Sequence, residues 1–217
     1  MQPPASLADL PTRIRVFPLG GAILLPRAVM PLNIFEPRYL AMVKDAMEGD
    51  RMIGIIQPKG DWKTDSPPLF QVGGLGRITQ YSETGDGRIV IALTGIIRFR
   101  IASELAATTP YRQIEANYAD YAGDWSHPEP LAPIARAALE STLKSYLEAQ
   151  DLSADWDAVS SADDEGLVNT LSVVCPLDSI ERQALLESTT LPDRASTLTA
   201  LMTFAQGASG NGDATLQ

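Results

Sequence analysis

Few residues in this chain have the types and the spacing that covalent or metal chemistry needs. His127 and Cys175 are the only histidine and the only cysteine. Nucleophilic catalysis pairs Ser or Cys with a neighbouring base, but no motif surrounds His127. Cys175 follows two valines where a helix is predicted to end, a typical place for a buried thiol. Because these two residues do not complete a four-ligand zinc site, we predict no catalytic residue, no bound metal and no cofactor.

Two other segments resemble ligand-binding motifs but favour structural roles. The acidic run 163–165 lacks the alternating spacing and the central glycine of a calcium loop, and it suits the first turn of a helix. The segment Gly73-Gly74-Leu75-Gly76 lacks the G-x-G-x-x-G spacing and leads into further strand, so close backbone approach or a bulge explains it better than a phosphate site. ATP hydrolysis needs a P-loop, and no Gly-Lys dipeptide occurs in the sequence.

The three tryptophans are the best candidates for contact with a partner. Trp62 lies in a charged loop at 59–65, and exposed aromatic side chains on loops often anchor interfaces. It either contacts a partner or folds back over the strands. Trp125 and Trp156 lie in connecting segments, where they either seal a contact between two lobes or line a groove there. We predict that Trp62, Trp125 and Trp156 bind a peptide or protein.

The first part of the chain, residues 12–121, alternates as β-structure does. Large apolar residues at 89, 91 and 93 share one face, and Gly95 is expected to be a bulge after which the alternation resumes. Further strands are predicted at 52–57, 70–81 and 111–119, β-type runs at 16–17 and 23–25, and a hairpin turn at 85–87. A helix begins at Pro37 and ends at Gly49. Many short strands around one helix favour a closed or nearly closed barrel.

The second part, residues 128–206, has the 3.6-residue period of helices. Four helices are predicted to form a bundle-like lobe, in which Ile134 and Tyr146 share a core face and Ser161 caps a helix. Asp178 and Glu181 have the spacing of a capping box. Residues 122–128 form the joint between the two parts. The tail 207–217 is too small and polar to pack, so it is predicted to be flexible.

Composition and charge limit the compartment and the partners. Residues 1–123 carry 13 Lys/Arg and 12 Asp/Glu, whereas residues 124–217 carry 4 Lys/Arg and 15 Asp/Glu, a net charge of −11. Because nucleic-acid binding depends on neutralising phosphates with cations, nucleic acid is an unfavourable partner, and anionic membrane surfaces are unfavourable for the same reason. The N-terminus lacks the features of a signal peptide, and one cysteine excludes an internal disulfide. These features predict a cytoplasmic protein.

The most specific feature is the segment 17–39, which reads FPLGGAILLPRAVMPLNIFEPRY. It resembles the N-terminal, substrate-binding domain of the Lon ATP-dependent proteases, in which a strand ending in Phe-Pro-Leu leads to a second proline and then to Pro-Leu-x-Ile-Phe-Glu-Pro-Arg-Tyr. Downstream, residues 95–101 resemble the Gly-x-x-Arg-Phe strand of that family. The resemblance covers about residues 13–205.

The shared motif residues are predicted to be structural, because a strand-to-helix junction needs polar groups to satisfy free backbone donors and acceptors. Glu36 is expected at the helix N-cap, and Arg38 is expected to bridge strands. The full set is Phe17, Pro18, Pro26, Pro31, Phe35, Glu36, Pro37, Arg38, Tyr39, Gly95, Arg98 and Phe99.

The resemblance implies an α+β fold, with an N-terminal PUA-like β pseudobarrel containing one helix and a C-terminal helical lobe. It also implies a non-catalytic domain that binds protein or unfolded polypeptide segments, by strand addition at an open edge or in a groove. With no P-loop and an end at Gln217, we expect a stand-alone relative without the ATPase and peptidase domains. The alternative is a PUA-like RNA-binding module, which the missing basic stripe disfavours. The sequence leaves the oligomeric state open.

Overall fold

The computed structural model describes residues 4–60 and 66–210, and side chains up to residue 207. The chain forms two compact units, one up to His127 and one from Pro128. Strands occur in the first unit and helices in both, which confirms the α+β class. Among the described residues, no helix is long and apolar enough to cross a membrane.

The described strands of the first unit are β1 (Arg13–Pro18), β2 (Val29–Ile34), β3 (Met52–Pro58), β4 (Leu69–Glu83), β5 (Ile89–Leu105) and β6 (Gln113–Asn117). They form one six-stranded sheet in the order β2-β5-β4-β3-β1-β6. The second half of β5 also pairs with β6, so five of the strands form a closed ring and β2 lies outside it on the first half of β5. A short 3-10 turn, Leu7–Asp9, precedes the sheet.

The strand predictions at 52–57, 70–81 and 111–119 are confirmed within a few residues. The hairpin turn is also confirmed, with Gly87 in the left-handed conformation at a φ of 82°. The predicted bulge lies beside Gly95, which pairs with Gly76 while the next pair joins Ile97 to Leu75. Ile96 is therefore the extra residue in the ladder. The alternation of inward and outward side chains thus continues on both sides of the bulge.

Residues 23–25 do not form the predicted strand. They lie in a fully buried loop that crosses the glycine-rich parts of β4 and β5. A Cβ atom added to Gly74 would lie 1.9 Å from the Leu24 carbonyl oxygen, and one added to Gly95 would lie 2.0 Å from the Leu25 carbonyl oxygen. The close backbone approach predicted for the glycines at 73–76 is confirmed at Gly74. The apolar run is explained by burial of this loop.

Helix α1 (Pro37–Glu48) packs against the sheet through its buried residues, which include Met42, Val43 and Ala46. The rings of Phe17 on β1 and Tyr39 on α1 are 4.1 Å apart, centroid to centroid, so the two ends of the family motif touch in the core. Burial raises the pKa of Tyr39 above its ordinary value. The helix ends at Glu48 with Gly49 as its C-cap, which confirms the predicted end at Gly49-Asp50.

The roles predicted for Glu36 and Arg38 are wrong in detail. Glu36 occupies the N-cap position, but its side chain makes no capping hydrogen bond. Arg38 does not bridge strands; its guanidinium pairs with the Glu36 carboxylate at 2.9 Å and stacks over the Tyr39 ring. Both charged side chains remain about two-fifths exposed. The residues form a local surface pair because they are only two positions apart at the start of α1.

The second unit contains five described helices rather than four, since a short helix separates two of the predicted ones. Ile134 is exposed rather than in the core, where Leu139, Leu143 and Tyr146 lie. Ser161 does not cap the following helix; the Asp163 side chain does so, accepting from the Gly166 N–H at 2.8 Å. The helices are α2 (Pro133–Ala149), α3 (Trp156–Ser161), α4 (Asp164–Val174), α5 (Ser179–Glu187) and α6 (Leu191–Gly210).

The capping box of Asp178 and Glu181 at the start of α5 is confirmed. Helix α6 continues through Gly210, four residues into the predicted flexible tail, and residues 211–217 lie outside the described part.

Three of the four Lys and Arg side chains of the second unit, which we also call the helical unit, form hydrogen bonds or ion pairs within that unit. Arg136 pairs with Glu140 and Asp164, at 2.6 and 2.7 Å. Arg182 donates to four carbonyls around the end of α4, which include those of Val173 and Cys175. Arg194 is buried and donates to the Leu185 carbonyl. These arginines therefore serve mainly to join helices and to satisfy helix-end carbonyls.

Candidate functional site

Strand β2 forms an edge of the sheet in the part of the chain that the structure describes, because it pairs with β5 on one side only. Its side chains alternate between two environments. Ile34 is buried and Met30 and Leu32 pack against the core, whereas Val29, Pro31 and Asn33 face outward. Val29 is 63 % exposed. An edge strand with unshielded apolar side chains is a template for pairing with another chain.

The bulge at the start of β2 determines which backbone groups point away from the sheet. The Arg27 N–H donates to the Gly95 carbonyl and the Gly95 N–H donates to the Ala28 carbonyl, both at 2.8 Å. Arg27 has a φ of 63°, as the first residue of a G1-type bulge does. Bonding alternates along an antiparallel ladder, so the backbone groups of Val29, Pro31 and Asn33 point to the open edge.

The outward face of β2 continues into Phe35, which is 62 % exposed just before α1. On β5, Val90 lies opposite Asn33 and is 42 % exposed. The nearby charged residues pair among themselves, Arg38 with Glu36 at 2.9 Å and Arg88 with Asp86 at 3.1 Å. The surface beside the edge is therefore apolar and locally balanced in charge. We call the outward positions Val29, Pro31, Asn33 and Phe35, with the open backbone groups of β2, the β2 edge.

Arg98, another of the residues shared with the family motif, is buried and does not form part of the β2 edge. The Asp124 carboxylate accepts three hydrogen bonds from Arg98, one from its backbone N–H at 3.0 Å and two from its guanidinium at 2.8 and 2.7 Å. The guanidinium also stacks on the Tyr121 ring, and Arg27 donates to the Asp124 carbonyl at 2.6 Å. These contacts fasten the 3-10 segment Ala119–Trp125 to β5.

The structure describes two of the three tryptophans predicted to bind a partner. Trp62 lies outside the described residues. Trp125 is half-buried at the end of the 3-10 segment in the first unit, and Trp156 is exposed at the start of α3 in the second unit. Val29 was not among the residues predicted to bind, and Phe35 was predicted to be structural. Residues 29–35 are apolar except for Asn33 and show no alternation, so the one signal for the β2 edge was Pro31, which an edge strand tolerates.

Cys175 is buried at the end of α4, and burial raises the pKa of its thiol, partly opposed by the nearby Arg182. A raised pKa lowers the thiolate fraction at pH 8. We therefore expect Cys175 in the folded protein to react with a thiol reagent at least about tenfold more slowly than in urea, since the thiolate is the reactive form. Equal rates in the two conditions, followed by absorbance, would contradict its burial.

The fold of this chain is similar to that of solved Lon N-terminal domains. The chain superposes on the crystal structure of a Lon N-terminal domain protein from Xanthomonas campestris with a TM-score of 0.61 and 24% identity, covering 87% of this chain and 98% of that one. The N-terminal domain of a Lon protease from the Mycobacterium avium complex gives a TM-score of 0.62 and 16% identity, with 88% and 98% coverage. The fold is that of a Lon N-terminal domain.

The family model for the ATP-dependent protease La (LON) substrate-binding domain matches residues 13–203, and the chain belongs to this family. The resemblance found in the sequence is thereby confirmed. A Lon protease of Desulfosudis oleivorans is 32% identical over 113 residues, which cover 51% of this chain and 14% of the relative. One of Cytophaga hutchinsonii is 26% identical over 200 residues, covering 89% and 24%. The chain thus spans 14% to 24% of the length of these relatives.

Proposed function

We propose that this protein is a non-catalytic domain that binds segments of other polypeptides by adding them as a strand to the β2 edge. The observation that carries the proposal is the exposure of Val29 on β2 and of Phe35 just after it, beside a strand edge with which no other described strand pairs. Main-chain hydrogen bonds to such an edge provide affinity, and alternate side chains provide selectivity. The family description, a substrate-binding domain, agrees with this role.

The finer predictions are part of the same proposal. The closed strand ring supports a PUA-like pseudobarrel with limits at 12–121, and the helices support a separate lobe at 128–206. Segments that are unfolded in the partner suit the edge best, because their backbone groups are free to pair. Trp62, Trp125 and Trp156 remain proposed secondary contacts, and a cytoplasmic location remains a proposal.

We expect replacement of Phe35 by alanine to weaken binding of a reduced, carboxymethylated model protein about tenfold or more, as truncation of an exposed aromatic anchor does. Phe204→Ala is the matched control, because Phe204 is an exposed phenylalanine, at 75 %, on α6 of the second unit and is not one of the residues of the β2 edge. Its affinity should equal that of the wild type. Fluorescence anisotropy with the labelled model protein measures both variants.

Two results would contradict the proposal. The first is no binding by the wild type at tens of micromolar, and the second is equal loss in Phe35→Ala and Phe204→Ala. Assays of ATP and peptide hydrolysis with the same material should show no turnover. Tight RNA binding with a steep dependence on salt would favour the alternative instead.

A further inference from the structure

Pro31 occupies the middle of the three outward backbone positions of the β2 edge. Because proline has no N–H, it is tolerated where that group would point away from the sheet. The open edge therefore offers two N–H donors, those of Val29 and Asn33, and three carbonyl acceptors, those of Val29, Pro31 and Asn33. The arrangement of donors and acceptors is symmetric about Pro31.

A foreign strand and a second copy of this chain form different numbers of hydrogen bonds with the β2 edge. An antiparallel foreign strand centred on Pro31 forms two bonds each with Val29 and Asn33, and a fifth with the Pro31 carbonyl. It loses one bond. Two copies in the register that uses all three positions place Pro31 opposite Pro31 and Val29 opposite Asn33. That pairing loses both central bonds and brings two pyrrolidine rings face to face.

We propose that Pro31 is a specificity-determining residue, which leaves the β2 edge open to a foreign extended segment while disfavouring strand pairing between two copies of this chain. The inference rests on the proposed role of the edge. Self-association is measured without any ligand, however, so failure of this inference and failure of ligand binding are separate results. Proline on an edge strand is a known defence against edge-to-edge association.

The test replaces Pro31 with threonine, which restores the outward N–H and favours strand conformation. Two regained hydrogen bonds should strengthen self-association roughly 30-fold relative to the wild type. Sedimentation equilibrium across a range of protein concentrations should show a monomer–dimer equilibrium shifted by that factor. The amides of Val29 and Asn33 should also become protected from hydrogen exchange as the concentration of Pro31→Thr rises.

Asn33→Thr is the matched control, because it also raises strand propensity at an outward position of β2 but adds no backbone donor. We expect it to sediment as the wild type does. Pro31→Val provides a second variant if Pro31→Thr fails to fold by circular dichroism. Identical sedimentation of the wild type and the folded Pro31 variants would overturn the inference. So would equal self-association of Asn33→Thr and Pro31→Thr.

Discussion

Replacement of Asp124 by alanine is expected to lower the free energy of unfolding by about 3–5 kcal/mol, the range seen when one partner of a buried ion pair is removed. The Arg98 and Asp124 side chains are 3 % and 9 % exposed. The variant would leave a buried guanidinium without the carboxylate that accepts two of its hydrogen bonds, and the Arg98 backbone N–H without its acceptor. Urea unfolding followed by tryptophan fluorescence measures the change.

Asp120→Ala is the matched control, since it removes a carboxylate from the same 3-10 segment. Asp120 pairs with Arg100 at 2.9 Å, but both side chains are about half exposed. Exposed pairs contribute about 0–1 kcal/mol, so this variant should unfold almost as the wild type does. A double variant, Arg98→Met with Asp124→Leu, should recover part of the stability lost in Asp124→Ala, because it replaces both members of the buried ion pair with apolar side chains. Equal stability of Asp124→Ala and Asp120→Ala would contradict the buried pair.

Replacement of Gly74 by alanine is expected to cost about 3 kcal/mol of stability, at the upper end of overpacking effects. The added Cβ atom would lie 1.9 Å from the Leu24 carbonyl oxygen. This neighbour is backbone, so a rotamer change does not relieve the overlap, and the loop around Leu24 has to move. Because that loop is buried on the strand ring, its displacement exposes apolar side chains to water.

Gly85→Ala provides the comparison for Gly74→Ala. A Cβ atom at Gly85, in the hairpin turn, meets no heavy atom within 4 Å. Its stability should stay within about 0.5 kcal/mol of the wild type, as for most surface changes. Thermal unfolding of both variants measures the contrast, and a Gly74→Ala protein as stable as Gly85→Ala would show that the loop does not pack on the glycine-rich strands.

The sequence allowed prediction of those elements whose signal is local. Alternation and turn chemistry predicted β3, β4, β5 and the hairpin, and the motif from Phe17 to Tyr39 predicted the family. The run Ile23-Leu24-Leu25 was wrongly predicted to be a strand, because a buried loop and a buried strand both favour apolar residues. Strand β2 was missed because Pro31 lies in its middle, and proline argues against a strand unless the strand is at an edge.

The candidate site was less predictable than the fold. The sequence around Phe35 is compatible with either a buried or an exposed side chain, because the exposure of Phe35 depends on where β2 ends relative to α1. The pairing of Arg98 with Asp124 joins residues 26 positions apart, and nothing local to Asp124 indicates it. Such contacts arise from the path of the chain around the ring, which residue patterns do not encode.

The internal use of Arg136, Arg182 and Arg194 has a consequence for behaviour in solution. Among the described residues of the second unit, Lys144 is the one cation in the exposed class, and residues 124–217 carry a net charge of −11. Molecules of this protein should therefore repel one another over a range that follows the Debye length, about 10 Å at 0.1 M salt and about 30 Å at 0.01 M. The colloidal osmotic second virial coefficient should accordingly rise as the buffer is diluted.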